Sequence, residues 1–338
     1  LLGNTQGNFS MSTLMIKTFF SSGTQELSEN FESFKSNRLT IANRLSAARP
    51  ELPADLDANG FPQSYGKTSQ QVLLASFIAA YTGVSPDKVG LSAFDKTPIP
   101  NWNMKYTGLM RLDWFKDHFT RFTISHGYRA AYSVNSYATN LEKENSTFNP
   151  ETLDVRPDYI FNNLVLNDEF NPLVRIDFES KNNLSMLFEM KMDRALSMSF
   201  DNNLLTEIQG KEFTLGVGYR IKDVQFVTNI GGAKQRLKSD LNIKADLSLR
   251  DNYTLIRNLE LDNTQVSAGQ YFLSAKLRAE YALSQNLNAL FFYDFTFSKY
   301  AVSTAFPQSL INTGISLRYN FGNHSVRNSH HCCPTYSK

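Results

Sequence analysis

Residues 241–250 read LNIKADLSLR, an unbroken alternation of apolar and polar side chains. Successive side chains of a β-strand point to opposite faces, so this stretch predicts a strand with one apolar and one polar face. The same two-residue period continues along the chain, and the segments that carry it are 241–251, 271–283, 287–298 and 311–321. Four consecutive strands of one sheet are therefore expected.

The length of these segments separates the two kinds of sheet that show such alternation. One is an antiparallel sheet with a single solvated face, and the other is a transmembrane β-barrel whose outer face meets lipid. A barrel strand needs roughly 9 to 11 residues, whereas soluble strands usually have about 5 to 6. The segments reach the barrel length, and aromatics recur near their ends, at Tyr271, Tyr281, Phe297, Tyr319 and Phe321. We therefore expect an all-β membrane protein, the antiparallel wall of an outer-membrane β-barrel.

The composition is compatible with this interpretation. The mean hydropathy of −0.34 is low, as expected when half of every strand is polar, and the longest apolar run, 72–81, is too short for a membrane-spanning helix. With 34 basic and 32 acidic residues, the net charge of +2 indicates neither a nucleic-acid partner nor a polyanionic substrate. The chain begins at Leu1 without a signal peptide, so we expect an N-terminal portion to be missing.

The periodicity divides the chain into four parts. These are a barrel strand in 1–24, a helical insertion in 25–99, barrel strands in 100–321, and a disordered or artefactual tail in 322–338. Eleven strands are expected, near 9–20, 101–108, 119–139, 157–167, 173–181, 184–202, 211–222, 239–251, 266–283, 286–300 and 308–321.

Two helices are expected within the insertion, near 27–47 and 69–82. Apolar residues recur at helical spacing in the first, and Thr68 to Gln71 resembles a capping box that opens the second, which Gly83 ends. Packing is the simplest role for such an insertion. A plug, a cap and a periplasmic docking element all remain open.

The alternation assigns individual side chains to the two faces of the wall. The polar set, expected to face a water-filled lumen, is Asp246, Lys276, Arg278, Asp294 and Arg318. The apolar set, expected to face lipid, is Leu247, Leu277, Phe291 and Leu317. Phe321 is expected to end the last strand and to close the barrel.

The tail contains the only two cysteines, in the run His330-His331-Cys332-Cys333. Neighbouring side chains cannot complete a tetrahedral metal site alone, and no second pair of ligands lies elsewhere in the chain. We therefore expect no metal and no other cofactor.

Several short strings resemble the C-terminal region of the SprA/Sov family. They are Tyr65-Gly66-Lys67, Ala79-Ala80-Tyr81-Thr82-Gly83, Pro100-Asn101-Trp102, Tyr106-Thr107-Gly108-Leu109, Ile124-Ser125-His126-Gly127-Tyr128-Arg129, Tyr132-Ser133-Val134, Arg175-Ile176-Asp177-Phe178, Gly218-Tyr219-Arg220-Ile221-Lys222-Asp223 and Val302-Ser303-Thr304-Ala305-Phe306-Pro307. The resemblance covers most of 1–321, whereas family members are several times longer and the tail has no counterpart.

The resemblance implies that the chain is part of a very large, protein-conducting barrel. SprA/Sov proteins are the outer-membrane translocons of the type 9 secretion system of Bacteroidota, which export folded cargo with C-terminal secretion domains and support gliding motility. It also implies four kinds of partner: outer-membrane lipid with the rest of the same barrel, a PorV-like partner barrel, a periplasmic plug protein, and the secreted cargo.

Three other functions compete with this hypothesis. An outer-membrane channel or receptor for small solutes would need the same wall. A soluble β-sandwich adhesin would need shorter strands around a core. A hydrolase would need a nucleophile and base, but His118 and His126 are the only histidines before the tail, and no nucleophile elbow occurs. His126 shares a predicted face with aromatic residues, so we expect no enzymatic activity.

Overall fold

The computed structural model describes residues 4–21, 28–53, 55–94, 97–230, 233–284, 286–302 and 306–321. The protein is 56% strand and 17% helix, and the strands form an antiparallel sheet, which confirms the predicted β class. The tail, including His330, His331, Cys332 and Cys333, lies outside the described residues.

The sheet contains ten strands. They are β1 (Gln6–Ser12), β2 (Trp102–Tyr106), β3 (Phe119–Thr139), β4 (Tyr159–Ser180), β5 (Leu184–Ser199), β6 (Leu204–Ile230), β7 (Ala233–Asn258), β8 (Asn263–Ala282), β9 (Leu287–Tyr300) and β10 (Gln308–Tyr319). Five α-helices accompany them: α1 (Ile16–Phe19), α2 (Glu29–Ala47), α3 (Gln70–Thr82), α4 (Asp113–His118) and α5 (Glu142–Asn145), with a 3₁₀ turn at Gly108–Arg111.

The strand order is a meander in which β3 to β10 each pair with the next strand along the chain. β1 and β2 both pair with β3, β1 along 131–138 and β2 along 124–128. Within the described residues, β10 pairs only with β9, so the sheet is open at both edges.

Four details differ from the predicted strands. The strand expected near 9–20 ends at Ser12, and α1 follows because Leu14, Met15 and Ile16 break the alternation; Met15 is fully buried. The segments 157–167 and 173–181 form one strand, β4, with a register irregularity between Phe170 and Val174. There are therefore ten strands and not eleven.

The other two differences concern strand ends. β6 and β7 extend far beyond 211–222 and 239–251, because backbone pairing continues where the apolar alternation stops. β10 ends at Tyr319, and Phe321 lies beyond it with its ring 4.8 Å from that of Tyr319.

The two long helices begin and end at the signals in the sequence. The Ser28 side chain caps α2 by accepting a hydrogen bond from the Phe31 N–H, and Glu29 lies in the first turn, where a negative charge favours the helix dipole. Gly83 ends α3 with a φ of 69°, a conformation that glycine adopts without strain. The capping box is wrong in one respect, since the Ser69 side chain makes no capping hydrogen bond.

The main core lies between the helices and one half of the sheet. α2 packs on α3, with the Phe34 and Phe77 rings 5.7 Å apart. The sheet contributes fully buried side chains from β3 to β6, namely Val134, Leu164, Leu196 and Leu205. The Met15 N–H also donates to the Tyr128 hydroxyl at 2.9 Å, which ties α1 to β3. The helical insertion therefore covers the sheet over part of its length.

Replacing Leu164 by alanine tests this core. The side chain is fully buried, so the change should lower the free energy of unfolding by about 2–5 kcal/mol. Leu261 lies 75% exposed in the turn between β7 and β8, so Leu261→Ala should change it by no more than about 0.5 kcal/mol. Denaturant titration of both variants measures the difference, and equal stabilities would contradict a core at this position.

Candidate functional site: a two-faced sheet

The strand register places the four apolar residues named from the sequence on one face of the sheet. Leu247 lies opposite Ala275, and Leu277 lies opposite Tyr293 on the next strand. Phe291 lies opposite Ile315, two residues from Leu317 on β10. Because residues of equal parity along a strand share a face, all four side chains belong to one surface, which we call the apolar face.

The register brings three of the five polar residues into one row on the opposite, charged face. Asp246 lies opposite Lys276, and Lys276 lies opposite Asp294, so opposite charges alternate across three strands. Arg278 lies two residues along β8, with its Nη2 4.0 Å from Asp294 Oδ1. Arg318 faces Asn288 and stands apart from this row. Cross-strand pairs of opposite charge contribute roughly 0.2–1 kcal/mol each.

The apolar face is bare where the helices do not cover it. Leu247 and Leu277 are each 38% exposed, Phe291 is 40% exposed and Leu317 is 64% exposed. Other large exposed side chains continue this surface from β5 to β10, among them Phe188, Phe213, Leu215, Tyr219, Ile311 and Ile315. Soluble monomers rarely expose contiguous apolar patches above a few hundred Å². The bare part therefore needs a partner or an apolar solvent.

The bare part forms a band with defined ends. On β6 and β7 it runs over 213–221 and 241–249, which pair residue by residue. A charged pair, Lys211 opposite Asp251, follows at the end of the band nearer the helices. Asp223 and Asp240 stand beyond the other end, where the Asp240 carboxylate accepts from the Asp223 N–H. The length of the band matches the roughly 9 to 11 residues that cross a membrane in a tilted strand.

Both tryptophans lie at the ends of this band. The Trp102 ring is 4.9 Å from that of Tyr128, at the border with the helices. Trp114, on α4, stacks on His118 at 4.8 Å and lies 5.9 Å from Phe119, at the opposite end of β3. Tryptophan favours such positions at membrane–water interfaces because its ring is apolar and its N–H is polar.

His126 lies on the apolar face beside the aromatic residues of the border. Its ring is 6.4 Å from that of Trp102 and 5.8 Å from that of Phe170, and its Nδ1 is 2.7 Å from the Leu173 carbonyl oxygen.

In the described part of the chain, no three histidine, cysteine, aspartate or glutamate side chains meet as metal ligands would. No helix among the described residues has the length and apolar character needed to cross a membrane.

A buried ion pair, which the sequence analysis missed, joins the sheet to α1. Arg194 on β5 donates to both carboxylate oxygens of Asp168 on β4, at 3.0 and 2.8 Å, and both side chains are almost fully buried. Its guanidinium also donates to the Thr18 carbonyl oxygen at 2.9 Å and lies over the Phe19 ring. These contacts hold α1 against β4 and β5. We call the pair Arg194 and Asp168 the latch.

A second buried pair lies beside the latch, between Arg257 on β7 and Glu207 on β6, with 3.2 Å between Nε and Oε2. The Arg257 guanidinium lies 5.0 Å from the centre of the Phe31 ring of α2. Tyr81 of α3 is buried nearby, and burial raises the pKa of its hydroxyl. A sequence signal existed, because all four charged residues occupy positions of apolar parity on neighbouring strands.

Comparison with known proteins identified no relatives. No protein-family profile matches the chain, and a search of curated proteins returned no match. The two faces, the band and the latch are therefore the observations available for a functional interpretation.

Removing the latch should destabilise the protein more than removing an exposed ion pair on the charged face. Arg194→Ala leaves the Asp168 carboxylate buried without its partner and should cost about 3–5 kcal/mol of unfolding free energy. Arg121 forms a comparable 2.8 Å pair with Asp177 but is 56% exposed, so Arg121→Ala should cost only about 0–1 kcal/mol. Denaturant unfolding measures both free energies. If Arg194→Ala lowered the unfolding free energy no more than Arg121→Ala, the latch would not be a stabilising contact.

Proposed function

We propose that the sheet is part of the wall of an outer-membrane β-barrel and that this barrel conducts folded protein to the cell surface. The observation that supports a membrane wall is the bare band of the apolar face, backed by the charged face. Hydrocarbon would solvate the band, and water in a lumen would solvate the row Asp246, Lys276 and Asp294.

The energetics favour lipid over water on the band. Apolar surface gains roughly 25 cal/mol per Å² when it leaves water, so the exposed leucine, isoleucine and phenylalanine side chains of six strands, β5 to β10, would strongly favour cover. A soluble β-sandwich adhesin would cover the band with a second sheet, and the described residues contain one sheet only. The two open edges fit the same proposal, because unpaired backbone groups are costly in hydrocarbon and would require further strands of the same barrel.

The strand number supports a wide lumen. A barrel of about 8 strands is filled by its own side chains, and a solute channel has about 16 to 18. Because β1 and β2 pair in succession along the same edge of β3, this open sheet is nine strands wide, and closure requires a barrel larger than the filled kind. This property supports the translocon and the alternative channel or receptor for small solutes alike.

The resemblance to the SprA/Sov family favours protein over small solutes as the cargo. On this proposal the chain works in the outer membrane of a Bacteroidota-type cell, in type 9 secretion and gliding motility. Its partners are then a PorV-like barrel, a periplasmic plug protein and cargo with C-terminal secretion domains. The charged face contributes the lumenal surface along which the cargo passes.

Cysteine labelling tests the wall at adjacent residues that serve as matched controls. In the full-length protein, Lys276→Cys should react with a membrane-impermeant thiol reagent, because water reaches the charged face. Leu277→Cys should be protected, because hydrocarbon covers the apolar face. Asp246→Cys and Leu247→Cys form a second matched pair. Equal labelling of Lys276→Cys and Leu277→Cys would contradict the proposal that the sheet is part of a membrane wall.

Depletion of the full-length protein tests the cargo. The translocon proposal expects folded cargo with C-terminal secretion domains to accumulate in the periplasm and to disappear from the cell surface. Uptake of small solutes should stay normal in the same cells. Normal secretion with loss of solute uptake would instead support the channel or receptor.

A further inference from the structure

We infer that α1, α2 and α3 form a collar on the extracellular surface of the outer leaflet, against the lipid-facing side of the wall. This inference rests on the proposed membrane orientation of the apolar face and deepens it. It assigns the helical insertion a place outside the lumen, so that the insertion is neither a plug nor a periplasmic dock.

The register places the helices and the bare band on the same face. On β4, the helix-covered Leu164 and Leu166 have the same parity as Ile176 and Phe178 of the band. The irregularity between Phe170 and Val174 preserves this parity, since Phe170 pairs with Met192 and Val174 with Met190. The charged face lies on the other side of the sheet. If the bare band of this face meets lipid, the helices must lie on the lipid-facing side of the wall, because they cover the same face at the other end of the strands.

Strand length explains why such a cover is needed. β6 has 27 residues, which at about 3.3 Å per residue extend for roughly 90 Å. Even at the tilt of about 45° usual for barrel strands, this exceeds a hydrocarbon thickness of about 30 Å. β6 therefore projects beyond the membrane at both ends of the band, and the helices cover the apolar face of the projection that starts at Leu204.

The border between helices and band has the chemistry of a membrane interface. Phe19 and Phe20 of the α1 segment cover Phe170, with ring centroids 4.8 and 5.4 Å apart, and Phe20 is still 55% exposed. Lys211 and Asp251 follow the band on the neighbouring strands. A charged side chain is costly at the bilayer centre, whereas exposed aromatics favour the interface, so the hydrocarbon should end at this border.

The connections between strands indicate which side of the membrane the collar occupies. At the end opposite the helices, β4 and β5 are joined by residues 181–183, and β8 and β9 by residues 283–286. The connection 107–118 between β2 and β3 also lies at this opposite end. At the helix end lie the connections 140–158 and 301–307 and the short turns 200–203 and 259–262. The long insertion between β1 and β2 leaves the sheet edge beside 128–131 of β3 and packs over this end. The longer connections are therefore on the helix side. Barrels keep short turns on the periplasmic side and longer loops outside, so the collar is extracellular.

Two single-cysteine variants of the full-length protein, in a cysteine-free background, test the side. Ser36 is exposed on α2, and Asn182 is exposed in the turn between β4 and β5. An impermeant thiol reagent should label Ser36→Cys on intact cells and Asn182→Cys only after the outer membrane is permeabilised. Labelling of Ser36→Cys only after permeabilisation would overturn the inference.

A spin label tests whether the collar stands on the lipid side. In proteoliposomes, a label at Phe20→Cys should show higher accessibility to oxygen, which dissolves in lipid, and lower accessibility to a water-soluble nickel complex than one at Ser36→Cys. Equal ratios at the two positions would place Phe20 in water and overturn the inference. Leu277→Cys and Lys276→Cys in the same background report the wall separately, so protection of Leu277→Cys would leave the proposed function standing if the collar failed.

Discussion

The need to cover one apolar face governs the whole structure. The antiparallel ladder carries this face from β3 to β10, because each cross-strand pair transmits the parity of one strand to the next. Helices cover it at one end of β3 to β6, and the rest is bare. The opposite face is mainly polar within the band, with Leu187, Leu290 and Phe292 as apolar exceptions, so water can solvate most of it. Along the same strands, the apolar face is therefore covered by helices at one end and left for another cover along the band.

The helices are held by polar as well as apolar contacts. Burying two ion pairs is unfavourable compared with apolar packing, because each ion loses its hydration. Arg194 offsets part of this cost with four hydrogen bonds, two to Asp168 and two to Thr18. A purely apolar contact between α1 and the sheet would tolerate sliding along the face. The directed bonds from Arg194 to Thr18 hold α1 at one position on the sheet.

The sequence predicted the regular part of the sheet well, because the alternation in 241–250 and in most of β8 to β10 assigns side chains to the two faces by parity, with Leu290 and Phe292 as exceptions on β9. The prediction from the sequence failed where features other than side-chain alternation determine the strand bounds and contacts. Pro172 interrupts the pattern of β4, yet pairing continues on both sides of it, so one strand looked like two. The outer parts of β6 and β7 pair through their backbones with mixed side chains. The latch was missed because Asp168 and Arg194 meet only once β4 and β5 are in register.

Several irregularities of the sheet lie at the ends of the bare band, whereas two others, between Gly7 and Phe9 and between Thr254 and Leu255, lie further toward the helix end. Register shifts fall between Ser125 and Tyr128 and between Phe170 and Val174 at the border with the helices. Another falls between Ile221 and Val224 at the far end. At the border, a Cβ on Gly127 would lie 2.8 Å from the Asn171 carbonyl oxygen, so the two strands approach closely only because this residue is glycine. Bulges bend strands and increase their twist. The sheet can therefore change direction at the border, where the cover of the apolar face changes from the helices to the bare band.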